Sequence, residues 1–161
     1  MFQILEAFDK YKGSMECVGK AVSTYSTNTL LDTLYFFEVA VFSFLTGNND
    51  MYLKNFSLIK NGSAWGLSPA YDLLNATIVN SEDDEEMALT LQGKKRKLKK
   101  EHFEQLGENL GLNKKQIDRV FSRFFRSKPI AEKWIRDSFL SEGYQSSYLE
   151  LLEKRYAILN K

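Results

Sequence analysis

The sequence predicts a mostly α-helical protein that carries one small β-hairpin. Apolar residues recur at helical spacing through residues 29–46 and again from Glu101 to the end of the chain. Between these regions, the dipeptide Asn61-Gly62, a strong signal for a hairpin turn, separates two short alternating segments. Because no internal repeat or linker interrupts the pattern, residues 1–161 are expected to form a single domain.

The composition excludes several classes of protein. Hydrophobic residues make up 43% of the 161 positions and aromatic residues 14%, which excludes a disordered chain. A net charge of +1 gives no global reason to expect binding to nucleic acid or to an anionic membrane. One cysteine (Cys17) and one histidine (His102) exclude a disulfide framework and a zinc site built from several such ligands. A Ser-His-Asp arrangement would need His102, and no serine motif lies near it.

Neither end of the chain indicates export or membrane insertion. Met1–Phe8 is too short and too acidic for a signal peptide. Asp32 and Glu38 interrupt the longest apolar stretch, Leu30–Leu45, which is too short to cross a bilayer. We therefore expect a soluble, cytoplasmic protein without a membrane partner, and a lone cysteine is compatible with a reducing cytoplasm.

The first half of the chain contains the clearest helix. Residues 1–28 are expected to hold two short helices, Met1–Tyr11 and Met15–Tyr25, separated at Gly13-Ser14. Residues 26–29 are typical of a helix N-cap. Residues 29–46 are apolar nearly all round, which predicts a buried central helix that ends at Gly47.

The middle of the chain is expected to be a hairpin followed by charged loops. The predicted strands are Asn55–Lys60 and Trp65–Leu67. An acidic loop at residues 80–86 comes next, then a short alternating strand, Met87–Gln92. Gly93 then opens a basic run at residues 94–100.

The last third predicts four short helices. They are expected to begin at Glu101, at Asn113, at Pro129 and after the cap Ser146-Ser147, with Gly111 ending the first. The inward-facing residues predicted by helical spacing are Phe103, Leu106, Leu110, Ile117, Val120, Phe121, Phe124, Ile130, Trp134, Ile135, Phe139, Leu149, Leu152, Tyr156 and Leu159.

The polar loop after the central helix carries the strongest chemical signal. Asp50 and Asn55 have the D-x-x-x-x-N spacing of a protein kinase catalytic loop, in which Asp orients the substrate hydroxyl and Asn binds Mg²⁺. Asp72, which lies after the hairpin, is the candidate for a second metal ligand. These oxygen ligands suit Mg²⁺, and ATP phosphates would complete its coordination. The spacing alone leaves an ordinary turn open as the alternative, because Asp and Asn are common turn residues.

Two ordered segments resemble a known family. Residues 44–59 resemble the catalytic segment of HipA-like kinases, and residues 67–75 resemble their metal-binding segment. Residues 87–91 and Gly93-Lys94-Lys95 also resemble the next segment of those kinases. The resemblance implies a C-terminal lobe of the HipA kinase type, with Asp50 as the catalytic residue and with Asn55 and Asp72 as Mg²⁺ ligands.

The same resemblance implies an activity and partners. HipA-like proteins are ATP-dependent serine/threonine kinases, typically the toxins of bacterial toxin–antitoxin systems. They phosphorylate cytoplasmic proteins of translation, and their usual partner is a small DNA-binding antitoxin. We therefore expect ATP and Mg²⁺ as cofactors, a Ser/Thr-containing protein as substrate and an antitoxin-type protein as partner.

The chain departs from the family pattern in two ways. Tyr52 stands where the family commonly has His, and a tyrosine titrates near 10 rather than 6.5. No Gly-rich loop and no phosphate-binding Lys is found before Asp50. An N-terminal lobe is therefore expected to be absent, so that the chain is an isolated domain, a truncated product or half of a split kinase completed by another chain. Activity is not expected without that lobe.

Basic residues suggest two further contacts. Lys54, next to Asn55, is a candidate for phosphate binding, with a solvated lysine as the alternative. Lys95, Arg96 and Lys97 are candidates for contact with DNA or a partner, with a solvated turn as the alternative. These features leave two hypotheses. Either the chain is a kinase lobe, or it is an inactive remnant that docks an antitoxin-type partner or DNA.

Overall fold

The computed structural model describes residues 1–9, 11–80 and 82–160, and within them the chain is mostly helical, as predicted. In chain order, the elements are helix α1 (Met15–Tyr25), helix α2 (Thr29–Thr46), a 3₁₀ turn (Leu53–Asn55), strand β1 (Leu58–Asn61), strand β2 (Ala64–Leu67), helix α3 (Lys100–Asn109), helix α4 (Lys114–Arg136) and helix α5 (Glu142–Leu159). The two strands form an antiparallel hairpin.

Helix α2 lies at the centre of the fold and contacts every other helix and strand β2. Phe36, Phe37 and Phe44 are fully buried. With 18 residues and a mean hydropathy of 1.4, α2 meets the length and composition of a membrane span. Our prediction that the apolar stretch Leu30–Leu45 is too short to cross a bilayer is therefore wrong by length and composition. Because α2 is packed on several sides by other elements, it is a core helix. The length and composition of α2 therefore do not indicate a membrane protein.

Gly47 ends α2 at the predicted position and in a left-handed conformation, with φ of 71°. Its N–H is bonded to the carbonyl of Phe44, and its own carbonyl accepts from both the N–H and the hydroxyl of Thr77. A Cβ built on Gly47 would approach the Leu151 Cδ2 atom to 2.5 Å. Residue 47 must therefore be glycine both for its backbone angle and for lack of space.

Helix α1 has the predicted bounds, with the Ser14 hydroxyl accepting a hydrogen bond from the Cys17 N–H at 3.1 Å. The predicted helix Met1–Tyr11 is wrong for its described residues, which form turns. A positive φ of 49° at Glu6 interrupts helical geometry, and the Met1 side chain is buried in the core. Tertiary contact thus outweighs the weak helical tendency of so short a segment.

The hairpin pairs Leu58 with Leu67 and Asn61 with Ala64 around Gly62, whose φ is 60°. The first strand begins later than the predicted Asn55–Lys60, because Leu53–Asn55 form a 3₁₀ turn instead. Thr27 ties the hairpin to the link between α1 and α2 through hydrogen bonds in both directions with the Trp65 backbone.

The predicted strand Met87–Gln92 does not form. Among the described residues, its β pairing consists of isolated bridges from Thr90 to Ser14 and from Leu91 to Lys94. Met87, Ala88 and Leu89 are all fully buried in succession, so this segment lacks the two-faced alternation of a half-exposed strand.

Helix α4 is one continuous helix, so the prediction of a new helix at Pro129 is wrong. Its buried residues Ile117, Val120, Phe121 and Ile135 lie on both sides of the proline, and this packing outweighs the local cost of a helical proline. The predicted inward positions Ile130, Trp134 and Phe139 are exposed. Helix α5 begins after Ser141 and not at Ser146-Ser147, while Leu152, Tyr156 and Leu159 are buried as predicted.

A buried ion pair joins α5 to the acidic loop. Arg155, 4% exposed, lies 2.5 Å from a Glu86 carboxylate oxygen, and its guanidinium covers the Phe44 ring at 4.5 Å. The other Glu86 oxygen accepts the Leu98 N–H at 2.7 Å. Burial lowers the pKa of Arg155, and the Glu86 charge opposes this shift. Each charge therefore depends on the other to remain buried.

We expect Gly47→Ala to destabilise the fold by about 2 kcal/mol, because alanine is strained at positive φ and its Cβ must also displace Leu151. Gly62→Ala is the matched control, since residue 62 has a similar φ but open space around it. We expect this control to cost only about 1 kcal/mol. Urea denaturation measures both values, and equal losses would contradict the steric role of residue 47.

We expect Arg155→Met to destabilise the fold by about 3 kcal/mol, because it leaves Glu86 buried without its partner. Arg96→Met is the control, since Arg96 pairs with Asp84 of the same loop while both side chains are more than half exposed. That change should cost less than about 1 kcal/mol. Adding Glu86→Gln to Arg155→Met should restore part of the loss in urea denaturation, and simple additivity would argue against a coupled pair.

Candidate functional site

The loop after Gly47 is anchored by alternate buried side chains. Met51 and Leu53 are buried in the core, whereas Asp50 and Tyr52 are half-buried and Lys54 is exposed. Because the chain is extended at Tyr52 before the 3₁₀ turn, successive side chains point in opposite directions. The apolar residues thereby hold the polar residues of the loop at the surface.

Asp50 is held by its backbone and leaves its carboxylate available. Its N–H donates to the Asn48 side-chain oxygen at 3.2 Å, and its carbonyl accepts from the Asn55 amide at 3.2 Å. Within residues 1–9, 11–80 and 82–160, the carboxylate makes no hydrogen bond or ion pair. A carboxylate in this setting is able to accept a proton or a hydrogen bond from a hydroxyl group.

The structure brings Asn55 and Asp72 into direct contact. The Asn55 amide nitrogen donates to Asp72 Oδ2 at 2.8 Å, and the hairpin lies between these two residues in the sequence. Asn55 is 3% exposed and Asp72 is exposed, so the pair lies at the rim of the core. Since the Asn55 NH₂ group serves both Asp50 and Asp72, its side-chain oxygen remains available as a ligand.

Asp72 has a backbone conformation that few residues adopt. Its φ is 57°, in the left-handed region, and its carbonyl accepts from the Asn48 amide at 3.3 Å. Asp tolerates this region better than most residues other than glycine. The strained backbone is thus held by Asn48, which also orients Asp50.

Tyr52, at the position where the resemblance to HipA-like kinases implies a histidine, lies in acidic surroundings. Burial is the main reason that the pKa of Tyr52 is raised, and the charges of Asp50, Glu85 and Asp83 raise this pKa further. Its ring meets Tyr11 edge to face, with 4.9 Å between ring centres. Tyr52 therefore stays a neutral phenol at physiological pH and cannot carry the positive charge that a histidine at this place could take.

Sequence reasoning missed Asn48 and Asn49, which fix the conformation of the loop. Asn49 is 6% exposed, and its amide donates to Asp83 Oδ2 at 3.1 Å and to the Glu85 carbonyl at 3.2 Å. The acidic loop is thus hydrogen-bonded to the loop after Gly47. The only signal in the sequence is a pair of polar residues next to a helix-ending glycine, which is equally typical of an exposed turn.

Lys54 is exposed, and its ammonium has no ion-pair partner within the described part of the chain. Its carbonyl accepts from the Tyr71 hydroxyl at 2.9 Å, and this hydroxyl also lies 2.6 Å from the Ser57 hydroxyl. Tyr71, the residue before Asp72, thereby connects the segment that carries Asp72 to the loop after Gly47. Phosphate binding by Lys54 stays a prediction.

The basic run predicted for DNA or partner contact lies against the acidic loop. Lys95 pairs with Glu85 at 2.9 Å, and Arg96 pairs with Asp84 at 2.9 Å. The Glu86 N–H also donates to the Lys95 carbonyl at 2.7 Å. Lys97 is exposed, with a φ of 54°. Two of the three predicted cations are therefore already neutralised within the chain.

The donor set at Asn55 and Asp72 suits a hard cation. No group of three or more His, Cys, Asp or Glu side chains is placed to hold a metal within the described residues. Mg²⁺ does not need one, since it is commonly held by one or two carboxylates together with substrate phosphates and water. The residues present thus fit Mg²⁺ delivered with a nucleotide better than a metal held by protein alone.

A family model and two curated proteins match the sequence of this chain. The family model described as HipA-like C-terminal domain matches residues 1–133. A Haemophilus influenzae protein named "Putative kinase" is 27% identical, with 91% of this chain and 48% of that protein covered. A second protein named a putative kinase, from Sinorhizobium fredii, is 35% identical over 66% of this chain and 26% of its own length. The chain thus spans about half or less of the length of these relatives.

The fold is also found in a solved structure. A chain in the complex of HipA, HipB and operator DNA from Shewanella oneidensis matches with a TM-score of 0.75 and 20% identity. The match covers 92% of this chain and 36% of that one. At this identity the likeness concerns the fold, whereas the family model covers most of the sequence. This chain therefore belongs to the HipA-like C-terminal domain family.

Proposed function

We propose that this chain is the catalytic lobe of an ATP- and Mg²⁺-dependent protein serine/threonine kinase of the HipA type. The observation that carries the proposal is the contact of Asn55 with Asp72 at 2.8 Å, beside an Asp50 carboxylate without a partner in the described structure. Membership of the HipA-like family and relatives named putative kinases support it.

In this proposal each polar residue has a separate task. Asp50 accepts a hydrogen bond from the substrate Ser or Thr hydroxyl and orients it toward the phosphate. The Asn55 oxygen and the Asp72 carboxylate hold Mg²⁺, which would neutralise charge on the ATP phosphates. Lys54, one residue before Asn55, is the proposed phosphate contact. The protein thus acts by positioning and charge neutralisation.

The proposed reaction also needs groups that bind the ATP phosphates from the opposite side, which these residues do not supply. Protein kinases cover the ATP phosphates with a loop and contact them with a lysine from an N-terminal lobe. Because the chain spans 48% of the Haemophilus influenzae relative, we propose that these parts come from another segment or a separate chain. Phosphate transfer, on a cytoplasmic protein substrate, is then expected only of the completed two-lobe protein.

A second candidate function is that of a binding module derived from an incomplete kinase. Tyr52, at the position where the resemblance to HipA-like kinases implies a histidine, favours this alternative. The matched structure is a complex of HipA with HipB and operator DNA, which supports an antitoxin-type DNA-binding protein as the partner proposed here. Such a module would need neither ATP nor a working Asp50.

A calorimetric titration with Mg-ATP tests the nucleotide site of the isolated chain. If this lobe binds nucleotide by itself, Asp72→Asn should weaken the affinity about tenfold or more, because it removes the metal-binding charge and keeps the size of the side chain. Lys60→Gln, at an exposed position on the hairpin, is the control and should have no effect. Binding unchanged by Asp72→Asn would remove Asp72 from the metal site. Absence of binding to the unaltered chain would favour the binding module or a site that needs the second lobe.

Phosphate transfer tests Asp50 in a two-lobe protein that joins this lobe to the N-terminal half of a HipA-like kinase. Asp50→Asn should lower the rate about 10²–10⁴-fold, because the amide does not accept the hydroxyl proton. The affinity for Mg-ATP should stay within about twofold, since Asp50 is not proposed to bind the metal. Transfer measured with radiolabelled ATP that survives this substitution would rule out the kinase proposal for Asp50.

A further inference from the structure

Strand β1 has one edge that is paired with β2 and one edge that is open. The Ser68 N–H donates to the Ser57 carbonyl at 2.9 Å. In the register of the hairpin, this bond makes Ser57 and Ile59 residues whose backbone groups face β2. The backbone groups of Leu58 and Lys60 therefore face the other way. Within the described part of the chain, these outward groups make no hydrogen bond.

The neighbouring backbone positions of the hairpin are already covered. On the outer edge of β2, the Trp65 carbonyl accepts from the Thr27 N–H at 2.8 Å, and the Trp65 N–H donates to the Thr27 hydroxyl at 2.9 Å. On the same side as the open edge of β1, the Phe56 carbonyl accepts from the Met1 ammonium. The open stretch is therefore residues 58–60, which corresponds to about 10 Å of extended chain.

A groove of about 460 Å³ lies beside this open edge. Its lining residues are Gln3, Ile4, Glu6, Tyr25, Leu58 and Trp65. Ile4, Tyr25 and Trp65 are 37%, 54% and 45% exposed. Large apolar side chains grouped at a surface mark an interaction site, whereas single ones do not. We call this surface the hairpin groove.

An open edge strand is ordinarily kept from pairing by being short and by carrying lysine. Both features are present, because β1 has four residues and Lys60 lies on its open edge. They disfavour edge-to-edge pairing of two copies of this chain. They do not cover Ile4, Tyr25 and Trp65, which remain exposed beside the edge. The hairpin groove thus suits a different segment that brings apolar side chains with it.

We propose that the hairpin groove binds an extended segment of the second kinase lobe, which adds a strand to the hairpin at residues 58–60. This assignment rests on the kinase function proposed above, because only that function requires a second lobe. The chain spans 48% of the Haemophilus influenzae relative, so that protein contains about as much chain again outside the match. Leu58 follows Asn55 by three residues, which places the added strand next to the proposed metal ligand.

The geometry of an added strand defines the chemistry of the segment. Its backbone bonds to the outward N–H and carbonyl groups of Leu58 and Lys60, which fixes its register. Its side chains alternate between the two faces of the enlarged sheet. Those on the face of the hairpin groove are apolar, because they meet Ile4, Tyr25 and Trp65.

Amide hydrogen exchange, followed by NMR, tests the proposal in the isolated chain and in a two-lobe protein that joins it to the N-terminal half of a HipA-like kinase. The amides of Leu58 and Lys60 should exchange about tenfold more slowly in the two-lobe protein, because they gain hydrogen bonds. Ile59 and Asn61 are the matched internal controls. Their N–H groups already face β2, so their exchange should change less.

Trp65→Ala tests the groove itself. In the two-lobe protein, this variant should restore fast exchange at Leu58 and Lys60, because an aromatic anchor of an interface is commonly worth about tenfold or more in affinity. Trp134→Ala, at a tryptophan that is 67% exposed on α4, is the control and should keep both amides protected. Continued protection of Asn61 in the isolated Trp65→Ala chain shows that the hairpin remains folded.

Asp50→Asn separates docking from phosphate transfer. The two-lobe protein with this change should keep the protection of Leu58 and Lys60 while its transfer is lost. Protection without transfer by the unaltered two-lobe protein would contradict the kinase function alone, whereas transfer without protection would overturn the docking site alone. An equal change at all four hairpin residues would also overturn it. So would protection that rises with the concentration of the isolated chain, which would identify a second copy as the occupant.

Discussion

Helix α2 is surrounded by α1, α3, α4, α5 and the hairpin, and its burial fixes the position of the loop that it leads into. Rotation or sliding of this helix would expose Phe36, Phe37 or Phe44, each of which contributes about 2–3 kcal/mol by burial. Since α2 ends at Gly47, the loop that carries Asp50 starts from a fixed point and in a fixed direction. The chemistry proposed for Asp50 therefore begins with hydrophobic packing.

Packing alone does not determine the shape of the loop, because its polar groups also need partners. Asn48 connects Asp50 with Asp72, and Asn49 connects the same turn with the acidic loop. Glu86 then continues the connection to Arg155 on the last helix. The candidate site is thus connected by hydrogen bonds and an ion pair to residues from both halves of the chain.

Local signals were sufficient to predict α1, α2, the glycine that ends α2 and the hairpin turn. These features depend on neighbouring residues, such as the Ser14 cap and the positive φ of Gly62. The spacing of Asp50 and Asn55 is also local, whereas their approach to Asp72 needed the hairpin to fold back.

The predictions that failed depend on tertiary context. A proline ordinarily starts or breaks a helix, but α4 continues past Pro129 because its residues on both sides of the proline are packed in the core. The strand at Met87–Gln92 was predicted from the alternation of its residues, yet Met87, Ala88 and Leu89 are buried in succession and the segment forms only isolated bridges. Nothing in the sequence indicates that Arg155 is buried, because its partner Glu86 lies in a distant loop.

The left-handed backbone of Asp72 restricts which amino acids evolution or mutagenesis can place there. Glycine, asparagine and aspartate adopt a φ near 57° at the least cost, whereas most other residues lose about 1 kcal/mol before any ligand is considered. The substitution Asp72→Ala would therefore combine a conformational penalty with the loss of the carboxylate. Its effect would overstate the chemical role of the carboxylate. Under the metal-binding role proposed for Asp72, homologues that lack this carboxylate but keep the turn are expected to carry Asn or Gly at the position.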